Sequence, residues 1–168
     1  AIAKLWVDEE GTEDIDVLEL GAGCGCYSDY YKWLGFSIQA YDGASNIFDL
    51  TKGLVSPIDL SVQQMLQPAH WVLSLEVGEH IPRDHMENYL QNVVRHARKG
   101  VVLSWALPGQ TKSPAHPNQM RNEEVIAEMK KLGMRHYPKA TERLRSNAGN
   151  MCCGYFKRSV MVFKRDEN

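Results

Sequence analysis

Val17-Leu18-Glu19-Leu20-Gly21-Ala22-Gly23-Cys24-Gly25 decides the fold of this chain. An apolar run carrying one acidic residue leads directly into Gly-x-Gly-x-Gly. Such a run reads as a buried first strand ending in a tight turn that opens a helix. Glycines serve the turn because a Cβ would obstruct it and hold a ligand away from the backbone. The helix that follows directs its free N–H groups at whatever occupies the turn. A nucleotide-type cofactor at the carboxyl end of a first parallel strand fits this pattern.

Spacing selects among such cofactors. The dinucleotide fingerprint Gly-x-Gly-x-x-Gly requires a third glycine where Cys26 stands, which counts against a nicotinamide cofactor. The phosphate-binding loop requires Gly-Lys-Ser/Thr, and the turn has no lysine. What remains is Glu-x-Gly-x-Gly-x-Gly, with Glu19 two residues before Gly21. A pyrophosphate gains nothing from a nearby carboxylate, whereas a cofactor with an ammonium group and a sulfonium centre does. In these residues the chain resembles the class I S-adenosylmethionine-dependent methyltransferases, whose first motif has this form.

Composition is that of an ordinary globular protein, and 168 residues suffice for one domain with a sizeable core. No apolar run approaches the roughly 20 residues needed to span a bilayer. No charged-then-apolar leader opens the sequence, and a cytoplasmic location is expected. The four cysteines, Cys24, Cys26, Cys152 and Cys153, lack the Cys-x-x-Cys spacing of a zinc site and read as small packing residues. Charge is uneven. Residues 1–60 carry 3 basic and 11 acidic side chains, and residues 61–168 carry 16 basic and 10 acidic. The basic half reads first as a solvated face, with an anionic partner such as nucleic acid as the less favoured reading.

Residues 1–15 read as a loose acidic lead-in to a single domain over 16–168. The pattern predicts strands at Asp16–Leu20, Phe36–Tyr41, Val55–Leu60, Trp71–Leu75 and Val101–Trp105. It predicts helices over Tyr27–Leu34, Ala44–Thr51 and from Pro82 to a stop at Gly100, and a helical turn at Val62–Leu66. A helix capped by Asn122, strands at Met134–Tyr137 and Ser159–Lys164, and a basic helical segment near Thr141–Arg145 complete the chain. Alternating strands and helices mean an α/β fold with a parallel sheet. The resemblance implies a Rossmann-like, doubly wound, seven-stranded sheet, mostly parallel, with an antiparallel last strand.

Asp42 lies 23 residues after Glu19, close to the spacing at which an acid grips ribose hydroxyls in nucleotide folds, and Gly43 lets the chain turn past it. The resemblance implies that Glu19, Gly21, Ala22 and Gly23 serve the methionine end of the cofactor. It implies the ribose at Asp42 and Gly43, the adenine amino group at Asp59 with Leu60 under the ring, and Glu76 beside the methyl group. Ser74-Leu75-Glu76-Val77-Gly78-Glu79-His80-Ile81-Pro82 resembles the family's fourth motif. Glu79 and His80 are the catalytic candidates, His80 as a general base or as a residue that closes the pocket. Glu76, Glu79 and His80 also resemble the metal-ligand motif of some catechol-type and RNA-ribose O-methyltransferases, with His116 as a further ligand or substrate contact. The metal-free reading is preferred, because His116 lies in a long loop and relatives carry similar residues without a metal. The favoured function is methyl transfer to a small-molecule acceptor by in-line displacement. Methylation of RNA or protein, and a non-catalytic cofactor-binding module, are the alternatives. Oligomeric state is not legible.

Overall fold

The computed structural model describes residues 1–12, 14–148 and 154–165. Its helices and strands, in chain order, are α1 (Ile2–Glu10), β1 (Asp16–Leu20), α2 (Cys26–Trp33), β2 (Ser37–Asp42), α3 (Ile47–Leu50), β3 (Ser56–Pro57), β4 (Ala69–Leu75), α4 (Met86–Arg95), β5 (Ala97–Ser104), α5 (Asn122–Lys131), β6 (Met134–His136), α6 (Pro138–Asn147), α7 (Phe156–Ser159) and β7 (Met161–Arg165). The sheet order is β3-β2-β1-β4-β5-β7-β6. All pairings from β3 to β5 are parallel, whereas β7 runs antiparallel to both β5 and β6.

Strand alternation distributes the apolar side chains over two helix layers. Leu18, Leu20, Val72, Val101, Leu103 and Phe163 face α4 and α5, packing with Leu90, Val93, Val125 and Met129. Val17, Trp71, Leu73, Val102 and Val162 face the other way, packing with Leu5, Trp6, Tyr31 and Leu144 of α1, α2 and α6. This is the α/β, mostly parallel seven-stranded sheet that the alternation and the resemblance imply.

Several local expectations are corrected. Residues 1–15 are not a loose lead-in, because α1 buries Ile2, Leu5 and Trp6 along one face. Its acidic face is also tied down: Asp8 pairs with Arg143 at 2.9 Å, Glu9 with Lys164, and Glu10 accepts the Trp71 indole N–H at 2.8 Å. Asp16 pairs with Arg98 at 2.7 Å. Part of the basic C-terminal charge is therefore answered within the chain by the acidic N-terminal residues.

The helix begun near Pro82 opens as 3₁₀ turns and ends at Arg95, and Gly100 lies inside β5 opposite Trp71. Sheet pairing of Ala97 with Ala69 captures what periodicity assigned to the helix. Residues Val62–Leu66 form no helix. Asn92 of α4 bonds the backbone of Gln64 and Val62, and His96 Nε2 accepts the Leu66 N–H, so this segment's polar groups are satisfied by side chains instead. The third strand shrinks to Ser56–Pro57 at the sheet edge, the position a proline tolerates. Cys24 and Cys26 are exposed rather than packed, and Cys152 and Cys153 lie outside the described residues.

Candidate functional site

The strand order reverses between β1 and β4, and the carboxyl ends of β1 to β4 surround a cavity of about 570 Å³. Open α/β sheets bind ligands at such a switch point. Gly21, Gly23, Asp42, Gly43, Asp59, Leu60, Glu76 and His80 all line it, joined by Ala44, Ile58, Val77 and Ile81. Residues as far apart in sequence as Gly21 and His80 meet there because parallel strands place their carboxyl ends together.

The glycine turn is built by positive φ angles at Gly21 (81°), Gly23 (52°) and Gly25 (75°). Tyr41's carbonyl accepts the N–H groups of Gly21 and Ala22 at 2.8 and 2.9 Å, which ties the turn to the end of β2. A Cβ on Gly21 would lie 2.2 Å from the Val77 side chain, whereas nothing lies within 4 Å of one on Gly23. Gly23 thus leaves its side-chain direction open at the cavity wall. Asp42 accepts the Gly23 N–H at 2.8 Å and the Ala44 N–H at 3.0 Å, one on each carboxylate oxygen. Each oxygen keeps a lone pair for a further donor. Asp59 stands exposed just beyond β3, next to the Ile58 N–H that bonds the Asp42 carbonyl at 2.8 Å, and is held below the usual carboxylate range by the Ser61 hydroxyl and N–H.

Three expected site residues stand behind the cavity wall rather than on it. Ala22 is buried with Ala40, Ile47 and Val55. Glu19 is 3 % exposed on the α2 side of the sheet, where it accepts a hydrogen bond from the Ser28 hydroxyl. Burial pushes the Glu19 carboxyl up to about 7; the Ser28 bonds oppose this and the Asp42 charge adds to it. The folded value lies above the ordinary 4.5, so the folded state binds the proton more tightly than the unfolded chain does. Glu19's contribution to stability is full below pH 4.5 and is lost as pH rises through about 7. The difference corresponds to about 3 kcal/mol. Glu19→Gln is expected to remove that slope, and to make the protein about 3 kcal/mol more stable than wild type at alkaline pH. Urea unfolding of both proteins on each side of this window checks it. Parallel pH profiles would show that Glu19 is not the titrating group.

Glu79 is the third such residue, fully buried on a 3₁₀ turn, with neither carboxylate oxygen in a hydrogen bond. Burial raises its pKa to about 8, reinforced by the charge of Glu76 and by a side-chain contact with the Glu76 carboxyl, while the Glu79 and Ala106 backbone amides favour the charged form; none of these contacts reaches hydrogen-bond geometry. Glu76 itself has φ 56°, a left-handed conformation that costs a non-glycine residue of order 1–3 kcal/mol and is often found at functional sites. Its oxygens accept hydrogen bonds from Gln110 at 2.9 Å and Ser159 at 3.1 Å. His80 lines the cavity, and its Nδ1 lies 2.8 Å from the Ala115 carbonyl. A carbonyl only accepts, so Nδ1 is the donor and Nε2 of the neutral ring keeps its lone pair. The His116 ring packs edge-on at 4.5 Å from His80.

Gln110, Ser159 and Ser28 carry no sequence signal of their own. They lie 34, 83 and 9 residues from the acids they bond, and only Ser28, in the first turn of α2, was within reach of a local argument.

No family model and no curated protein matches the sequence. Solved structures do match it. One is a magnesium protoporphyrin IX methyltransferase from Synechocystis PCC 6803 with bound SAH (TM-score 0.72, 15% identity, 98% of this chain and 80% of that one). Another is a SAM-bound amino pentose methyltransferase from Micromonospora echinaspora (0.74, 12%, 98% and 89%). A third is a glycopeptide N-methyltransferase complexed with sinefungin (0.71, 12%, 100% and 86%). With its sheet order, its antiparallel β7 and these matches along its whole length, the chain has the fold of the class I S-adenosylmethionine-dependent methyltransferases.

Proposed function

We propose that this chain transfers the methyl group of S-adenosylmethionine to a small-molecule acceptor. The observation that carries the reading is the cavity at the switch point. It joins an open glycine turn to two acids, Asp42 and Asp59, at the separate strand ends a nucleoside with an amino-acid tail requires. Bound S-adenosylmethionine supplies an electrophilic methyl group on a sulfonium centre.

The chain's own residues bind and orient. Asp42 accepts the ribose hydroxyls, Asp59 the adenine amino group, and Leu60 lies under the ring. Gly21 and Gly23 let the methionine end approach the backbone, and Gly43 lets the chain pass the ribose. Glu19 and Ala22 act from behind the turn, holding it in shape. Glu76, fixed by Gln110 and Ser159, sets the wall beside the reacting methyl. His80, its ring fixed through Nδ1 by the Ala115 carbonyl, lines the cavity on the acceptor side. In-line displacement needs distance and angle more than acid–base machinery, so a site of positioning groups suffices. The matched structures include methyltransferases named for a porphyrin, an amino pentose and a glycopeptide, which supports a discrete small acceptor.

Calorimetric titration tests the reading. S-adenosylmethionine and its demethylated product should bind, and NAD should not. Binding of NAD alone would overturn it. Asp42→Ala is expected to weaken S-adenosylmethionine by about 1.5–3 kcal/mol through loss of a charged acceptor. It also frees the Gly23 N–H, so the loss has a second source in a looser turn. Unchanged affinity in this variant would remove Asp42 from the site.

A further inference from the structure

We infer that Glu79, His80 and His116 form a binding site for one divalent transition-metal ion on the acceptor side of the cavity. One ligand atom from each residue lies within 4.8 Å of the others. Metal–ligand bonds of about 2.0–2.2 Å bring such atoms to roughly 3–4 Å from one another, so small side-chain adjustments close the shell.

Unsatisfied polar groups converge on this point. Both Glu79 oxygens and His116 Nδ1 are buried without a hydrogen-bond partner. A fully buried carboxyl group without a hydrogen-bond partner must keep its proton or find a cationic partner. A cation held between the three side chains supplies that partner. His80 already has the outer-shell arrangement of a ligating imidazole: Nδ1 donates to the Ala115 carbonyl at 2.8 Å, which fixes the ring and leaves Nε2 free to ligate.

The sequence reading leaves the site metal-free because His116 sits in a long loop. The fold seats that loop. Asn118 donates its backbone N–H to the Glu79 carbonyl at 3.2 Å, and its own carbonyl accepts the Trp105 indole N–H at 2.5 Å. His116 is thereby anchored to the turn that carries Glu79 and His80. Glu76 is not in the set, since the ligand atoms that lie within 4.8 Å of one another come from Glu79, His80 and His116 alone among the described residues.

Two imidazoles and one carboxylate suit Zn²⁺, Co²⁺, Fe²⁺ or Mn²⁺ better than an all-oxygen ion such as Ca²⁺. Three protein ligands leave coordination positions open, and His80 borders the cavity. Resting on the methyl-transfer reading, an open position there takes an acceptor with an ionisable oxygen. Coordination lowers the pKa of that oxygen. The acceptor O–H loses its proton to solvent, the O–CH₃ bond forms as the S–CH₃ bond breaks, and the products are a methyl ether or ester and the demethylated cofactor.

The test uses chelator-stripped, desalted protein titrated with Co²⁺, followed by calorimetry and by visible d–d absorption. One equivalent is expected to bind wild type. Glu79→Gln and His116→Asn should each weaken it by about 100-fold, since removing a ligand should cost at least as much as removing an outer-shell partner. Cys24→Ser/Cys26→Ser should leave it intact. Circular dichroism confirms that each variant is folded, and S-adenosylmethionine affinity is measured on the same samples. Absence of Co²⁺ binding to wild type overturns the site. So does binding that survives both ligand variants or disappears in the cysteine variant. Failure of wild type to bind S-adenosylmethionine would instead remove the methyl-transfer reading, and the metal titration would stand by itself.

Discussion

Gly23→Val is expected to abolish S-adenosylmethionine binding, by more than about 100-fold or roughly 3 kcal/mol, while the protein stays folded. The two halves of this outcome have separate causes. A Cβ at Gly23 meets no protein atom within 4 Å, so no core contact is disturbed. The cost to folding is that of a branched residue at φ 52°, of order 1–2 kcal/mol against a total of about 5–15. The cost to binding is larger because the new side chain projects from the cavity wall, where the ligand must approach the backbone. Gly21→Val is the contrast. There the Cβ would stand 2.2 Å from Val77, so folding itself should suffer. Calorimetry and thermal melting of both variants distinguish the two glycines. A Gly23→Val protein that binds as wild type does would reduce the glycine loop to a turn.

Trp6→Ala should cost about 3–5 kcal/mol of stability, the range for deleting a buried large aromatic side chain. Trp6 is fully buried, 4.9 Å from Tyr31 and 5.5 Å from Phe36 between ring centroids, and so joins α1 to α2 and to the start of β2. For a chain of this size the melting temperature should fall by roughly 6–20 °C. Trp6→Phe should cost much less. It keeps most of the ring packing and removes an indole N–H that is buried without a partner. Melting of Trp6→Ala within about 2 °C of wild type would mean that α1 contributes little to the folded domain.

The helix that Trp6 anchors is also where local reading of the chain failed most. Residues 1–10 carry only Ile2, Leu5, Trp6 and Val7 as large apolar groups, followed by Asp8-Glu9-Glu10. That acidic run reads as solvated until Arg143, Lys164 and Trp71 are seen opposite it. Similarly, Ala97 continues the helical period of α4 and Gly100 reads as its stop, yet strand pairing claims both, because a central strand flanked by β4 and β7 gains a hydrogen-bond ladder on each edge. Propensity is a local quantity and pairing partners are not.

Glu19, the glycine turn, Asp42, Asp59, Leu60 and Glu76 were legible because each belongs to one strand end or the turn just after it. A parallel sheet brings successive strand ends to one edge whatever the loops do. The sequence by itself therefore determined the α/β architecture and most of the cavity wall. The tertiary structure alone decided which groups stand behind that wall. It turned Glu19 beneath the turn onto Ser28, closed Glu76 between Gln110 and Ser159, and seated His116 against His80 beside the unpartnered carboxylate of Glu79. These contacts join residues 9 to 83 positions apart, most of them carried on loops or terminal segments. Their meeting depends on how the loops pack, which neither strand periodicity nor motif spacing encodes.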